Sequence, residues 1–162
     1  MSYRAAVLTI SDKGYAGERE DKSGPLLKQK LEDLGFETLP VEILPDERTV
    51  ISARLKELCD GSRADLVMTT GGTGAAPRDI TPEATMDVIE RPMPGLAELI
   101  RFEGMKITKR AVLSRGVSGI RGETLMINLA GSPKAVAEGM DILQPVLEHA
   151  MNMLKSVNLE HN

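Results

Sequence analysis

The chain has 162 residues, of which 41% are hydrophobic and 27% are charged, values typical of a soluble globular protein. A net charge of −4 and only two tyrosines and two phenylalanines argue against nucleic acid as a partner, because DNA attracts basic surfaces and single strands stack on aromatic rings. The single cysteine, Cys59, excludes an intrachain disulfide, and we find neither a membrane span nor a signal peptide. We therefore expect one domain over residues 1–162, located in the cytoplasm and without a membrane partner.

Apolar runs and amphipathic segments alternate along the chain, which indicates alternating strands and helices. In chain order, we predict a strand at 5–10, a loop at 11–23, a helix at 24–34 capped by Ser23, a strand at 37–44, a helix at 45–59, a strand at 66–70, helices at 81–90 and 96–102, strands at 111–114 and 124–129, and a long helix that starts at Gly131-Ser132-Pro133. Pro40 places the second strand at an edge of its sheet, because proline cannot donate a hydrogen bond to a neighbouring strand.

This order of elements favours a three-layer α/β/α sandwich with a mostly parallel sheet. In such sheets, ligands bind beyond the carboxyl ends of the strands. The segments expected at that edge are polar or rich in glycine: Ser11-Asp12, Pro45-Asp46, Gly71 to Asp79, Ser114-Arg115, and Gly131 to Lys134. We therefore predict that these segments form one composite pocket.

The most informative segment runs from Leu66 to Thr85, where an apolar strand leads into a glycine-rich turn, an aspartate and the start of a helix. Glycines let backbone N–H groups approach a phosphate closely, and the start of a helix adds partial positive charge. An aspartate in such a turn is typical of sites where a hydrated Mg²⁺ joins protein and phosphates. The segment predicts nucleotide chemistry with Asp79 near the reaction.

Several common motifs are excluded. No glycine is followed by lysine, so the P-loop is absent, and Pro77 stands where a dinucleotide fingerprint requires its third glycine. The two histidines, His149 and His161, lie in or after the last predicted helix without a partner pattern, so a hydrolase with a serine, a histidine and an aspartate is not expected. Cysteine and histidine residues with the spacing of a metal site are also missing.

The combination of motifs is more specific than any one of them. TTGGTG is followed by RD and TPEAT at short spacing, is preceded by PDE, and is followed later by LSR and GSP. With these motifs, the chain from Leu8 to the segment at Gly131 closely resembles the Mog-type molybdopterin adenylyltransferases of molybdenum cofactor synthesis, which are relatives of MoaB and of the gephyrin G domain. The late loop of that family usually reads PGxP, whereas Ala130 replaces the first proline here.

The resemblance implies an activity, cofactors and partners. Members of the family transfer AMP from ATP to the terminal phosphate of molybdopterin, release pyrophosphate and require Mg²⁺. They form trimers, whereas MoaB types can be hexamers, and contact with the downstream molybdenum-inserting protein is expected. MoaB-type relatives often lack the aspartate of PDE, so its presence here favours an active enzyme.

The resemblance also implies the site residues. The two essential aspartates fall on Asp46 and Asp79, which we expect to bind Mg²⁺. The other family positions are Gly71, Gly72, Thr73 and Gly74 in the glycine loop, Ser114 in LSR, and Gly131, Ser132 and Pro133 in the late loop. To these we add Ser11 and Asp12 from the predicted rim, and Arg78, Arg115 and Lys134 as cations for the phosphate charge.

Some alternatives stay open at this stage. Asp46 can instead cap the following helix, and Asp79 can be a simple turn residue. Ser11 and Asp12 can close a loop without touching a ligand, and Arg78 can pair with a nearby acid. For the whole protein, the alternatives are a non-catalytic molybdopterin-binding or scaffolding protein of the MoaB type and a generic nucleotide-binding protein.

Overall fold

The computed structural model describes residues 2–156. Its strands are Arg4–Ile10 (β1), Glu37–Thr38 (β2), Glu42–Leu44 (β3), Leu66–Thr70 (β4), Arg91–Pro92 (β5), Ser118–Arg121 (β6) and Thr124–Leu129 (β7). Its α-helices are Asp12–Tyr15 (α1), Ser23–Asp33 (α2), Arg48–Asp60 (α3), Thr81–Met86 (α4), Pro94–Gly104 (α5) and Pro133–Leu154 (α6), and a 3-10 helix covers Lys109–Leu113. None of the helices within 2–156 combines the length and the apolar character needed to cross a bilayer.

The sheet runs in the order β2-β1-β4-β7-β6-β5, and β3 also pairs with β1. β1, β4 and β7 are parallel neighbours, whereas β6 and β5 pair in antiparallel fashion. β2 pairs with the start of β1 and β3 pairs with its end, so these two short strands form one interrupted edge strand with Pro40 in the gap. The predicted mostly parallel sheet and its edge strand are confirmed.

Helices cover both faces of the sheet because successive side chains of a strand point to opposite sides. One face packs against α2, α5 and α6, through residues that include Val7, Met68, Leu27, Leu31, Met140 and Leu143. The other face packs against α3 and α4, through residues that include Leu8, Val67, Ile51, Leu55 and Ala84. The three predicted layers are confirmed, and burial on both faces explains why β1 is apolar almost throughout.

The predicted strand at 111–114 is wrong. Residues 111–113 belong to the 3-10 helix, which Ser114 follows, and Val112 is 54% exposed and Leu113 is 68% exposed. Its residues have high strand propensity, but propensity fails here because no neighbouring strand covers them. Two short strands were not predicted: β5, and β6, which is joined to β7 by a turn at Gly122.

Several helix boundaries also differ from prediction: α3 starts at Arg48 rather than at 45, and α5 starts at Pro94 rather than at 96. The loop at 11–23 contains the short helix α1, which Ser11 caps by accepting a hydrogen bond from the Gly14 N–H at 3.0 Å. Ser23 is the first residue of α2 rather than its cap, and Asp21 accepts from the Gly24 N–H at 3.0 Å instead. α4 starts at Thr81 as predicted, but it ends at Met86 rather than at 90.

Candidate functional site

Beyond the carboxyl ends of the central strands lies a cleft of about 660 Å³, which we call the first cleft. It is lined by Thr9, Ile10, Ser11, Gly14, Arg19, Glu20, Asp21, Lys22, Ser23, Asp46, Thr70, Gly71, Gly72, Asp79, Gly131, Ser132 and Pro133. Four of the five predicted rim segments therefore contribute to a single cavity, because the parallel strands that precede them end at the same edge.

A second cleft of about 570 Å³ adjoins the first. It is lined mainly by α5, the 3-10 helix and α6, and among its residues are Thr73, Gly74, Ile100, Thr108, Arg110, Ser114 and Ile142. The two clefts share Gly72, Asp79, Gly131 and Ser132. Ligands that occupied both clefts would therefore meet at these four residues.

Asp46 follows β3 and is held by Asp12. Its Oδ2 accepts a hydrogen bond from the Asp12 N–H at 2.9 Å, while Asp12 Oδ1 accepts from the Asp46 N–H at 3.0 Å. The other oxygen, Oδ1, faces the glycine loop, since a Cβ placed on Gly72 would lie 3.1 Å from it. The residue at the start of α3 in the cap position is Glu47, so the alternative of Asp46 as a helix cap is wrong.

The electrostatic environment of Asp46 disfavours its charged form. Burial raises the pKa of Asp46, and the negative charges of Asp12 and Asp79 raise it further, against the opposing effect of the Asp12 N–H and of Arg78. Carboxylates that repel one another in a partly buried cleft create a place where a cation is favourable.

Asp79 lies in the turn between the glycine loop and α4. Its Oδ2 accepts from the Ala76 N–H at 2.9 Å, so the aspartate stabilises its own turn as well as lining both clefts. The same oxygen is close to Gly74, where a Cβ would lie 2.7 Å from it. Asp46 and Asp79 thus flank the glycine loop, one beside Gly72 and the other beside Gly74.

The glycine loop needs residues without side chains. Gly71 has φ +104° and Gly72 has φ +69°, and a Cβ on Gly72 would collide with the side chain of Thr81. The Gly71 N–H donates to the Leu129 carbonyl at 3.0 Å, so it is not available to a ligand. Within the described part of the chain, the N–H groups of Gly72, Thr73 and Gly74 have no hydrogen-bond acceptor.

Thr81, behind this loop, is fully buried, and its Oγ1 is the one buried side-chain polar atom without a partner among residues 2–156. An unpaired hydroxyl in a protein interior is unfavourable, and such atoms are rare in folded proteins. Its position against Gly72 shows how tightly the helix α4 packs on the loop.

The predicted cations differ in where they point. Arg78 donates to both oxygens of Asp12, at 2.6 and 3.1 Å, and to Glu47 at 3.0 Å, so the alternative that it pairs with acids is confirmed. These hydrogen bonds lower the pKa of Asp12. Lys134 lines neither cleft, and its side chain is 81% exposed near Glu138.

Arg115 contacts the turn that carries Asp79. Its guanidinium donates to the Gly74 carbonyl at 2.7 Å, to the Asp79 carbonyl at 2.6 Å and to the Glu83 carboxylate at 2.6 Å. Neighbouring Ser114 lines the second cleft, and its Oγ accepts from the Gly116 N–H at 3.3 Å.

The late loop forms the start of α6. Ser132 caps this helix by accepting from the Ala135 N–H at 3.1 Å, and Pro133 is its first residue. A Cβ on Gly131 would lie 3.2 Å from Gly71 Cα, so the late loop and the glycine loop are in close contact.

Some residues of the first cleft were not predicted. Arg19 and Lys22 bring positive charge to it, and Asp21 accepts from the Thr9 hydroxyl at 2.8 Å. The sequence does contain a signal for these residues. They lie in the loop after the central strand β1, and such a loop begins at the ligand-binding edge of the sheet. The segment Asp21-Lys22-Ser23 is also polar and opens a helix, which is typical of a binding loop.

A metal ion held only by protein side chains is not supported. Across residues 2–156, no three or more histidine, cysteine or acidic side chains are grouped so that they can hold a metal ion. Mg²⁺, however, is commonly bound by one or two carboxylates together with phosphate oxygens and water. The acidic pair beside a loop with free N–H groups fits that mode of binding.

The fold and the site define an α/β protein with a glycine loop between two acidic residues at the carboxyl edge of its sheet. The chain belongs to the MoCF_biosynth family, described as a probable molybdopterin binding domain, whose model matches residues 6–149. It is 41% identical over 150 residues to the molybdopterin adenylyltransferase of Helicobacter pylori strain J99, with 91% of this chain and 85% of that protein aligned. It is 40% identical to the molybdopterin adenylyltransferase of Escherichia coli K12, over 85% of this chain and 72% of that protein.

The chain is also similar to a much longer protein and to proteins of known structure. The chain is 42% identical to the molybdenum cofactor synthesis protein cinnamon of Drosophila melanogaster, but it spans only 25% of that protein. Among solved structures, it is similar to the molybdopterin biosynthesis enzyme MoaB of Thermus thermophilus, with a TM-score of 0.90, 45% identity, and 95% and 97% of the two chains covered. It is also similar to the tungsten cofactor synthesizing protein MoaB of Pyrococcus furiosus, with a TM-score of 0.85, 34% identity, and 95% and 98% covered.

Proposed function

We propose that this protein is a molybdopterin adenylyltransferase that transfers AMP from MgATP to the terminal phosphate of molybdopterin and releases pyrophosphate. Relatives of that name align over most of the chain at about 40% identity. The observation that carries the mechanism is that Asp46 and Asp79 flank one glycine loop, at the place where the two clefts adjoin.

The reaction needs positioning and charge neutralisation more than a base. The attacking group is a phosphate monoester with a second pKa of about 6, so it is largely ionised at neutral pH. The obstacle is repulsion between this phosphate and the triphosphate of ATP. We therefore do not assign the role of general base to Asp46 or to Asp79.

The chain offers three means of reducing that repulsion. The N–H groups of Gly72, Thr73 and Gly74 are without protein acceptors in the described residues and can donate to phosphate oxygens. Arg19 and Lys22 line the first cleft beside Glu20 and Asp21, and their cationic groups can donate to phosphate oxygens. Asp46 and Asp79 would hold Mg²⁺, which would neutralise charge on the transferred adenylyl group and on the leaving pyrophosphate.

The two clefts suit two substrates. A bimolecular reaction between bound molecules requires the reacting atoms to come within about 3–3.5 Å of each other. Gly72, Asp79, Gly131 and Ser132 line both clefts, so we place the attacking phosphate and the α-phosphorus of ATP beside these residues.

Other expectations remain proposals of the same kind. From the sequence pattern we propose a single domain in the cytoplasm. From the family resemblance we propose a homotrimer that contacts a downstream molybdenum-inserting protein.

An assay of the purified protein with molybdopterin, Mg²⁺ and ATP tests the function directly. We expect the adenylyl adduct and pyrophosphate to form in equal amounts, and both to disappear when EDTA removes Mg²⁺. Binding of molybdopterin without any adduct would instead identify a non-catalytic binding or scaffolding protein. Tight binding of ATP without binding of the pterin would identify a generic nucleotide-binding protein.

A further inference from the structure

The side chain of Arg115 joins the two ends of the turn that carries Asp79. Its Nε donates to the carbonyl of Gly74, where the turn begins, and one terminal nitrogen donates to the carbonyl of Asp79, where it ends. The backbone adds a further contact, because the Arg115 N–H donates to the Thr73 carbonyl at 2.9 Å. Arg115 thus contacts the backbone at Thr73, just before the turn, and at both ends of the turn itself.

The third nitrogen of this guanidinium is also engaged. It donates to both oxygens of Glu83, in the first turn of α4, at 2.6 and 3.1 Å. Arg115 therefore ties the turn at 74–79 to the helix that follows it. With all three nitrogens in use, the side chain has little capacity left to bind a phosphate of the substrate.

Arg78, which lies within the same turn, makes contacts of a different kind. Its donors reach Asp12, Glu47 and the Asp46 carbonyl, the last at 3.3 Å, and all three acceptors lie outside the turn. One arginine therefore holds the turn together and the other ties it to the segment that carries Asp46.

From this arrangement we propose that Arg115 is a positioning residue, which fixes Asp79 through the backbone of the 74–79 turn, and does not bind substrate phosphate. The charge of Arg115 matters less than its shape, because only a planar fork of donors reaches two carbonyls and a carboxylate together. A lysine at this position would keep the positive charge but would contact a single acceptor well.

The substitutions Arg115→Lys and Arg115→Gln separate shape from charge. We expect both variants to lower kcat by about 10- to 100-fold, since small displacements of a reacting group have effects of that size, with the KM for ATP changed by less than about threefold. We also expect exchange of the Ala76 and Asp79 amides, which are the hydrogen-bonded amides of this turn, to become about tenfold faster or more in both variants. Thermal unfolding of each variant confirms that it is folded.

Arg121→Lys is the matched control. Arg121 also joins a carboxylate, Asp60, at 2.8 and 3.1 Å to a backbone carbonyl, that of Val88, at 3.1 Å. It lies outside both clefts, so we expect its replacement to leave kcat and exchange in the 74–79 turn unchanged.

The opposite pattern would overturn the proposal. If Arg115 binds phosphate, Arg115→Lys retains most of the activity, Arg115→Gln raises the KM for ATP, and exchange in the turn stays at the wild-type rate. The kinetic part rests on the proposed function, whereas the exchange measurement does not. An inactive wild-type protein would therefore refute the function, while unchanged exchange in both variants would refute the role of Arg115.

Discussion

Asp12 and Asp46 bind each other's backbone, each carboxylate accepting a hydrogen bond from the N–H group of the other residue. The arrangement joins the end of β1 to the end of β3 and leaves Oδ1 of Asp46 facing Gly72. Asp12 also carries the ion pair with Arg78, so it links the Asp46 segment to the turn of Asp79.

Replacement of Asp12 should weaken Mg²⁺ binding without removing a metal ligand. Asp12→Ala deletes the acceptor of the Asp46 N–H, and we expect the Mg²⁺ concentration for half-maximal turnover to rise about tenfold or more, because groups that orient a metal ligand have effects of this size. Asp12→Asn keeps an oxygen acceptor and should show a smaller increase. Equal Mg²⁺ requirements in the wild type and Asp12→Ala would contradict the proposed link. Asp141→Ala is the control, because the Asp141 side chain on α6 is 75% exposed.

Replacement of Asp79 should abolish turnover while binding of the pterin persists. Asp79→Ala removes a carboxylate that lines both clefts, and we expect turnover to fall at least about 100-fold. Molybdopterin binding, followed by fluorescence or calorimetry, should remain measurable because the walls of the clefts are retained. Normal formation of the adenylyl adduct by this variant would defeat the assignment.

The glycine loop should not tolerate a methyl group at Gly72. Gly72→Ala combines a left-handed backbone at φ +69° with a collision against the side chain of Thr81. Gly122→Ala is the matched control, since Gly122 has φ +58° but no atom within 4 Å of the added Cβ. We expect the control to lose about 1–2 kcal/mol of unfolding free energy with turnover unchanged, and Gly72→Ala to lose more stability and most turnover. Urea denaturation measures the free energy of unfolding, and the adduct assay measures turnover. Equal losses of stability and of turnover in the two variants would rule out an effect of the collision with Thr81.

Asp65 should make the stability of the protein depend on pH. Burial alone would raise the pKa of Asp65, but hydrogen bonds from the Arg4 N–H and from Lys155 outweigh this effect and lower it. A carboxylate whose pKa is lowered by folding stabilises the protein above its unfolded pKa, and this contribution is lost as pH falls through the folded-state value.

We therefore expect Asp65→Asn to lower the free energy of unfolding at pH 7 by about 1–3 kcal/mol. The difference between this variant and the wild type should shrink as the pH falls below about 4, where the carboxyl group in the unfolded chain is protonated. Urea denaturation at pH 7, 5 and 3 measures the effect, with Asp141→Asn as an exposed control. A difference that grows at acid pH would have the wrong sign for this explanation.

The parts of this protein that the sequence predicts well depend on burial and chain order. β1, β4 and β7 could be found because strands covered on both faces consist of apolar residues over most of their length. Asp46 and Asp79 could be expected near each other because each follows a strand of one parallel sheet. Neither inference requires knowledge of individual side-chain contacts.

The parts that were missed depend on contacts between distant residues. β6 is short and contains Gly119, which packs against Ile89, so its sequence gives little strand signal. The segment at 111–114 has a strong strand signal but is not a strand. Its apolar residues are exposed, and 111–113 lie in a 3-10 helix. The directions of Arg78 and Arg115 follow from acceptors that lie 31 to 66 residues away along the chain, which no local pattern reveals.

The interrupted edge strand bears on how this protein avoids aggregation. An uninterrupted edge presents a row of unpaired backbone groups onto which a strand of another molecule can add. β2 and β3 offer only two and three residues, respectively, and Pro40 between them lacks the N–H group that a visiting strand would need. The break in this edge strand therefore disfavours the addition of a strand from another molecule. It lies at the β2 end of the sheet, away from the antiparallel β6–β7 hairpin.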